Sequence, residues 1–335
     1  MIRFGNSLDN FTKKFILLLI VCIEIAVGFT FLFAYNSNRT AFKENSVLGL
    51  ATTIDSKTLI YPSDEEYKYY FEFVPNEKVT VTLPWDASKT VTYSHNDDGL
   101  NDVHNYQIEK QESTFRIVTL GDSFTYGQFV NTAENWTELL EVSLNAANTK
   151  CENKRYTKYE VINLGAPGFD ISYIVKRYIE KGKKYNPNLV IWFESGTGFS
   201  RFNELLGDDQ IPCNHPHECE ARRRLYLKEN YSSRMLRDYL KSKFDLFFSH
   251  VAQQNVIYFA QLKPFNDDLY TTEQKIEQLA NWQSIFPQAT MQSKIPTLYE
   301  EDIFIDGHPN QFGHQKIAKA FFDQIVAQVG DSVCQ

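Results

Sequence analysis

The chain has 335 residues, of which 43% are hydrophobic and 15% aromatic. That is enough apolar matter for a sizeable core, and it excludes global disorder. The net charge is −8, and no long basic cluster lies beyond the membrane-proximal lysines, which argues against nucleic acid as a partner.

Residues 1–14 carry Arg3, Lys13 and Lys14 and precede an apolar run of 21 residues, 15–35. The run is long enough to cross a bilayer as a helix, and the preceding cations place the short N-terminus in the cytoplasm and the remainder outside it. The segment therefore reads as a single-pass signal anchor. The alternative is a cleaved signal peptide, which the length of the run and the lack of a small-x-small site disfavour. Glu24 within the run is costly unless it is protonated or paired. Residues 36–55 are polar and without period, as in a linker. Residues 56–112 form a β-rich extension, with strand patterns over 69–74, 79–83 and 90–94 and a turn-rich stretch over 96–101. Its aromatics read as packing, although a carbohydrate-contacting module would use the same residue types.

From residue 113 the pattern alternates. A β-branched apolar strand over 115–120 ends in Gly121-Asp122-Ser123, and a helical pattern starts near Thr132, with Trp136, Leu139, Leu140 and Leu144 in helical spacing. A strand over 159–164 runs into Gly165-Ala166-Pro167-Gly168-Phe169-Asp170. Asp170 caps a helix that has Ile171, Ile174, Val175, Tyr178 and Ile179 on one face. The third strand is 189–193. Residues 208–224 look inserted. Within them, Cys213, His215, His217 and Cys219 are zinc-ligand types at a spacing that fits no common zinc site, and a small Cys213–Cys219 disulfide loop is the preferred reading. That pairing would leave Cys151 with Cys334, whereas a reducing compartment would leave all four as thiols. A helix over 232–254, a strand over 255–260, a helix over 272–283 and a short strand from 289 follow. The C-terminal helix has Ile317, Phe321 and Ile325 at four-residue spacing. Strands alternating with helices imply parallel pairing.

The chemistry sits at two places. Ser123 follows a buried strand and opens a turn, so backbone N–H groups beside it can hold developing negative charge. Near the C-terminus stands Asp306-Gly307-His308-Pro309-Asn310. The stretch from Arg116 to Gly127 resembles the first block of the GDSL, or SGNH, hydrolase family, and the stretch around His308 resembles its fifth block. Asn163-Leu164-Gly165-Ala166-Pro167-Gly168 resembles the second block. The resemblance covers about 116–329 and implies a three-layer α/β/α sandwich, flavodoxin-like, with a central parallel sheet over 113–335. It implies Ser123 as nucleophile and His308 as general base, with the N–H groups of Ser123 and Gly168 facing the oxyanion.

Two positions depart from the family pattern. The acidic residue usually lies three before the histidine, where Ile305 stands. Asp306 is the candidate orienting group, with Asp302 second. The third block usually supplies an asparagine, but aligned on Gly196 its place is taken by Gly198, which has no side-chain donor. The Gly198 N–H, Ser195, Thr197 and Asn203 are the possible substitutes. His314 reads as structural. The resemblance implies an acyl-ester substrate, such as an O-acetyl group on a cell-envelope polysaccharide, and requires no metal and no organic cofactor. A binding protein that keeps the fold, and an O-acetyltransferase using the same pair, are the other readings.

Overall fold

The computed structural model describes residues 14, 24–25, 58–60, 67, 70–150, 154–194, 201–206, 216–251, 256–261, 290–292 and 296–328. The chain divides into two units, Met1–Ser46 and Val47–Gln335. The predicted span 15–35 lies outside the described residues apart from Glu24 and Ile25. Among the described residues no helix is long and apolar enough to cross a membrane.

The second unit is built on β5 (Thr114–Leu120), every residue of which is buried. Parallel to it on one side lies β6 (Lys158–Asn163). On the other side follow β7 (Leu189–Glu194), β8 (Val256–Gln261) and β9 (Thr290–Gln292), giving the order β6-β5-β7-β8-β9. In chain order this is 2-1-3-4-5, the flavodoxin-like arrangement. The connection reverses direction between β5 and β7, and ligands of open α/β sheets bind beyond the strand ends at such a switch point.

Helices cover both faces. Successive strand residues point to opposite sides. Ile117, Ile191 and Phe193 therefore pack on one face with Trp136, Leu140 and Leu144 of α2 (Trp136–Thr149) and with Ile317, Phe321 and Ile325 of α6 (Gln311–Gln328). Trp192 faces the other way and meets Phe244 and Phe247 of α5 (Ser233–His250) at ring distances of 5.3 and 5.1 Å. On that side also lies α3 (Ile171–Arg177), capped by Asp170, whose carboxylate accepts from the N–H groups of Ser172 and Tyr173. The helix predicted to continue to 179 instead widens into a π turn over Tyr178–Gly182 and a 3-10 turn over Lys183–Tyr185. Residues 216–230 form α4, overlapping the insertion expected over 208–224; Cys213 and His215 lie outside the described residues, as do Cys151 and Cys334. The predicted helix 272–283 lies outside them as well.

The extension forms two antiparallel pairs, β1 (Leu59–Ile60) with β2 (Glu72–Phe73) and β3 (Lys78–Leu83) with β4 (Asp86–Ser94). The strand expected over 69–74 shrinks to two residues because Tyr70 and Phe71 turn onto Phe169, at 5.3 and 4.9 Å between rings. Glu72 pairs with the buried Arg177 of α3 at 2.7 Å. Extension and α/β sheet thus fall within one compact unit.

Candidate active site

The turn that carries Ser123 is built by glycine and asparagine. Gly121, at φ +157°, stands so close to β7 that a Cβ there would lie 1.8 Å from the Phe193 carbonyl oxygen, so no larger residue can end β5 here. Asp122 caps α1 (Ser123–Tyr126), accepting from the Phe124 N–H at 3.0 Å. Ser123 is the first residue of that turn, so its own N–H has no intrahelical acceptor. The far end of α1 is clasped at the Tyr126 carbonyl by the side-chain amides of Asn101 at 2.8 Å and Asn135 at 3.0 Å. Asn101 belongs to the extension, as does His95, whose Nε2 lies 3.1 Å from the Tyr126 hydroxyl. Phe73 stacks on both rings, at 4.5 Å from His95 and 5.0 Å from Tyr126. Burial pushes the His95 imidazole down to about 3, with the Arg177 charge adding to the effect, so it is neutral.

His308 arrives on a tight loop closed by an antiparallel bridge between Ile303 and Pro309, with the Phe304 N–H donating to the His308 carbonyl at 2.8 Å. Asn310 pins the loop to α6. Its amide donates to the Glu301 carbonyl at 2.8 Å, and its Oδ1 accepts from the Phe312 N–H at 2.9 Å. The result places His308 Nε2 at 2.8 Å from Ser123 Oγ and His308 Nδ1 at 2.8 Å from Asp306 Oδ2. An ionised carboxylate only accepts, so the hydrogen-bond network assigns the proton to Nδ1 and leaves Nε2 to accept from the serine hydroxyl. His308 is 4% exposed, and its ring lies against Phe124 at 5.0 Å and edge-on to Phe129 at 5.3 Å.

Of the acidic candidates, Asp306 meets the imidazole. Asp302 does not; it accepts from Lys316 Nζ at 2.5 Å and from the Tyr299 N–H at 3.0 Å, and the Lys316 hydrogen bond holds its carboxyl below the usual range. Ile305, at the usual acidic position, is 86% exposed and points away into solvent. His314 is buried in α6, with Nδ1 accepting from the Trp136 N–H at 3.1 Å. Burial, with the neighbouring His308 second, holds it down at about 3. Gly168 is half-buried at φ +75° in the loop after β6. Gly198, Ser195 and Thr197 lie outside the described residues. Asn203 lies inside them, its N–H on Asp170 Oδ2 at 2.7 Å, two residues beyond Gly168 in that same loop. Among the described residues no group of three or more His, Cys, Asp or Glu side chains is placed to hold a metal ion.

The sequence reading did not anticipate an aromatic wall. Trp85, at the tip of the β3–β4 hairpin, packs on Phe129 at 4.8 Å and on Phe304 at 5.2 Å. Phe129 is itself buried in a left-handed conformation, φ +72°, with its N–H on the Tyr93 hydroxyl at 2.8 Å. A non-glycine residue held there costs about 1–3 kcal/mol and persists only where its surroundings enforce it. The only sequence signal was a tryptophan between a proline and an aspartate at a hairpin turn.

The solved structures similar to this chain include esterases. One is a psychrotrophic esterase, EstA, from Pseudoalteromonas sp., with 13% identity, a TM-score of 0.43, and coverage of 64% of this chain and 98% of that one. A putative lipolytic protein of the G-D-S-L family from Desulfitobacterium hafniense has 16% identity, a TM-score of 0.39, and coverage of 62% and 98%. An acetyl xylan esterase, Est2A, from Butyrivibrio proteoclasticus has 13% identity, a TM-score of 0.42, and coverage of 64% of both chains. No family model matches the sequence, and neither does any curated protein. At these identities and scores the likenesses carry no argument, and the functional reading rests on the site itself.

Proposed function

We propose that the protein is a serine ester hydrolase of the GDSL/SGNH type. The observation that carries this reading is the unbroken path from Ser123 Oγ through the His308 ring to Asp306, with both contacts at 2.8 Å. In the first half-reaction Ser123 Oγ bonds to the ester carbonyl carbon while its proton passes to His308 Nε2. The tetrahedral oxyanion is held by the N–H groups of Ser123 and Gly168. The C–O bond to the alcohol then breaks, and Nε2 returns the proton to the departing oxygen. Water, deprotonated by the same imidazole, releases the acid and restores Ser123. Asp306 holds the tautomer and balances the imidazolium.

The apolar run 15–35 and the cations before it support a membrane-anchored protein with its catalytic unit outside the cytoplasm. An O-acetyl group on an envelope polysaccharide is the substrate that fits such a placement. With a carbohydrate hydroxyl replacing water, the same site would transfer the acyl group. The glycine at position 198 favours a second reading, a fold-keeping binding protein, since loss of one oxyanion donor costs about 10²–10³ in turnover.

The full-length chain in detergent, assayed on p-nitrophenyl acetate beside Ser123→Ala, separates these readings. The hydrolase reading expects a loss of at least about 10⁴-fold in the variant, and labelling of the wild type alone by a serine-reactive phosphonate. Equal rates and no labelling would leave the binding reading.

A further inference from the structure

We infer that Trp85 forms the floor of a subsite for the alcohol half of the substrate, and that it takes the apolar face of a pyranose ring. The inference rests on the hydrolase reading above for its orientation. The leaving oxygen must come within hydrogen-bond reach of His308 Nε2, because that nitrogen returns the proton to it. Groups that lie beside the imidazole therefore border the alcohol and not the acyl group. Those groups are Phe124, at 5.0 Å from the His308 ring, Phe129, edge-on to it at 5.3 Å, and Trp85, packed on Phe129 at 4.8 Å. Phe129 is 2% exposed and backs the wall, whereas Trp85 remains half-buried at a hairpin tip and presents part of its indole to solvent.

An aromatic face open to water on one side suits a ligand that is apolar on one face and hydroxylated on the other. A saccharide ring has that character. An alkyl chain would gain from enclosure, which a hairpin tip does not give. The chain also invests backbone strain at Phe129 to hold this wall against the imidazole. The hairpin, outside the α/β sheet, would thus set which alcohol is accepted while the sheet supplies the chemistry.

The test compares two acetate esters, methyl acetate and acetylated xylotriose, on full-length wild type, Trp85→Ala and Trp85→Leu. The leucine variant keeps apolar packing against Phe129 and Phe304 but removes the flat face. The proposal expects kcat/KM on the saccharide ester to fall about tenfold or more in both variants, mainly through KM. In Trp85→Leu the loss on methyl acetate is several-fold smaller than the loss on the saccharide ester, and the acetyl-to-butyryl preference is kept. Equal losses on both esters, a shift in acyl-length preference, or full saccharide turnover in Trp85→Leu would overturn it. Failure of the hydrolase reading shows separately, as Ser123→Ala matching wild type. In that event calorimetric binding of xylotriose to wild type and not to Trp85→Leu still supports the subsite, and no binding to either overturns it.

Discussion

The Asp306 carboxylate grips His308 at two points: Oδ2 meets ring Nδ1 at 2.8 Å, and Oδ1 accepts from the backbone N–H at 3.1 Å. The bidentate grip is possible because the acid lies only two residues before the histidine, on a loop turned at Gly307, φ +88°. Asp306→Asn keeps the shape but presents an amide that can donate, which favours the wrong imidazole tautomer. Turnover is expected to fall about 10³–10⁴-fold with the melting temperature little changed. Asp302→Asn, which touches Lys316 and not the imidazole, is expected to do the reverse. Steady-state kinetics and thermal melts on both variants check the assignment.

Gly121→Ala tests the close approach of β5's end to β7. The added methyl meets the Phe193 carbonyl carbon at 2.9 Å and the Thr125 hydroxyl at 2.3 Å, so α1 must shift. The expected loss is about 3 kcal/mol or more of stability, together with reduced turnover, measured by denaturant titration and kinetics.

Arg177 and Glu72 join α3 to the extension as a buried pair, with side chains 1% and 11% exposed. Arg177→Met leaves the carboxylate without that buried partner, and the expected cost is about 3–5 kcal/mol. Replacing both residues with apolar ones of similar size is expected to recover much of it. A double-mutant cycle in urea gives the coupling directly.

The interior also holds an acidic cluster. Asp102 accepts from Tyr106 and from the His104 N–H at 3.0 and 2.9 Å, and Tyr106 also donates to Glu141. Burial, with the Asp102 charge second, pushes the Glu138 carboxyl far above its usual range, so it stays protonated and donates to Asp102. A carboxyl raised in the folded state contributes stability that is complete at acid pH and lost as pH climbs from the ordinary carboxylate range toward its raised value. Glu138→Gln keeps a donor without the proton linkage. The wild type is expected to lose melting temperature between pH 6 and pH 9 by more than this variant does.

Much of the site was legible because its residues announce themselves locally. Ser123 ends a β-branched run, and Asp306 and His308 lie two residues apart before an amphipathic helix. The sheet was legible from its alternating period, and the segment 158–163 differs from expectation only at its ends. What escaped was non-local. Nothing in the pattern of 56–112 shows that Asn101 reaches Tyr126 or that Trp85 reaches Phe304, because these contacts join residues far apart in sequence. The helix α4 escaped for another reason. Three consecutive arginines interrupt any apolar stripe, and among its described side chains only Leu227 is buried. The short α1 is a single turn, too brief for any period to reveal.

The amide of Asn101 on the Tyr126 carbonyl fixes where a working fragment of this chain can begin. A polypeptide started at β5 would contain the serine, the imidazole and the carboxylate and still lack one of the clamps that hold the turn in place. Recombination with another chain of this fold must therefore exchange the hairpins together with the sheet. Proteolytic nicking between residues 103 and 112 should silence the serine only once the cut piece departs.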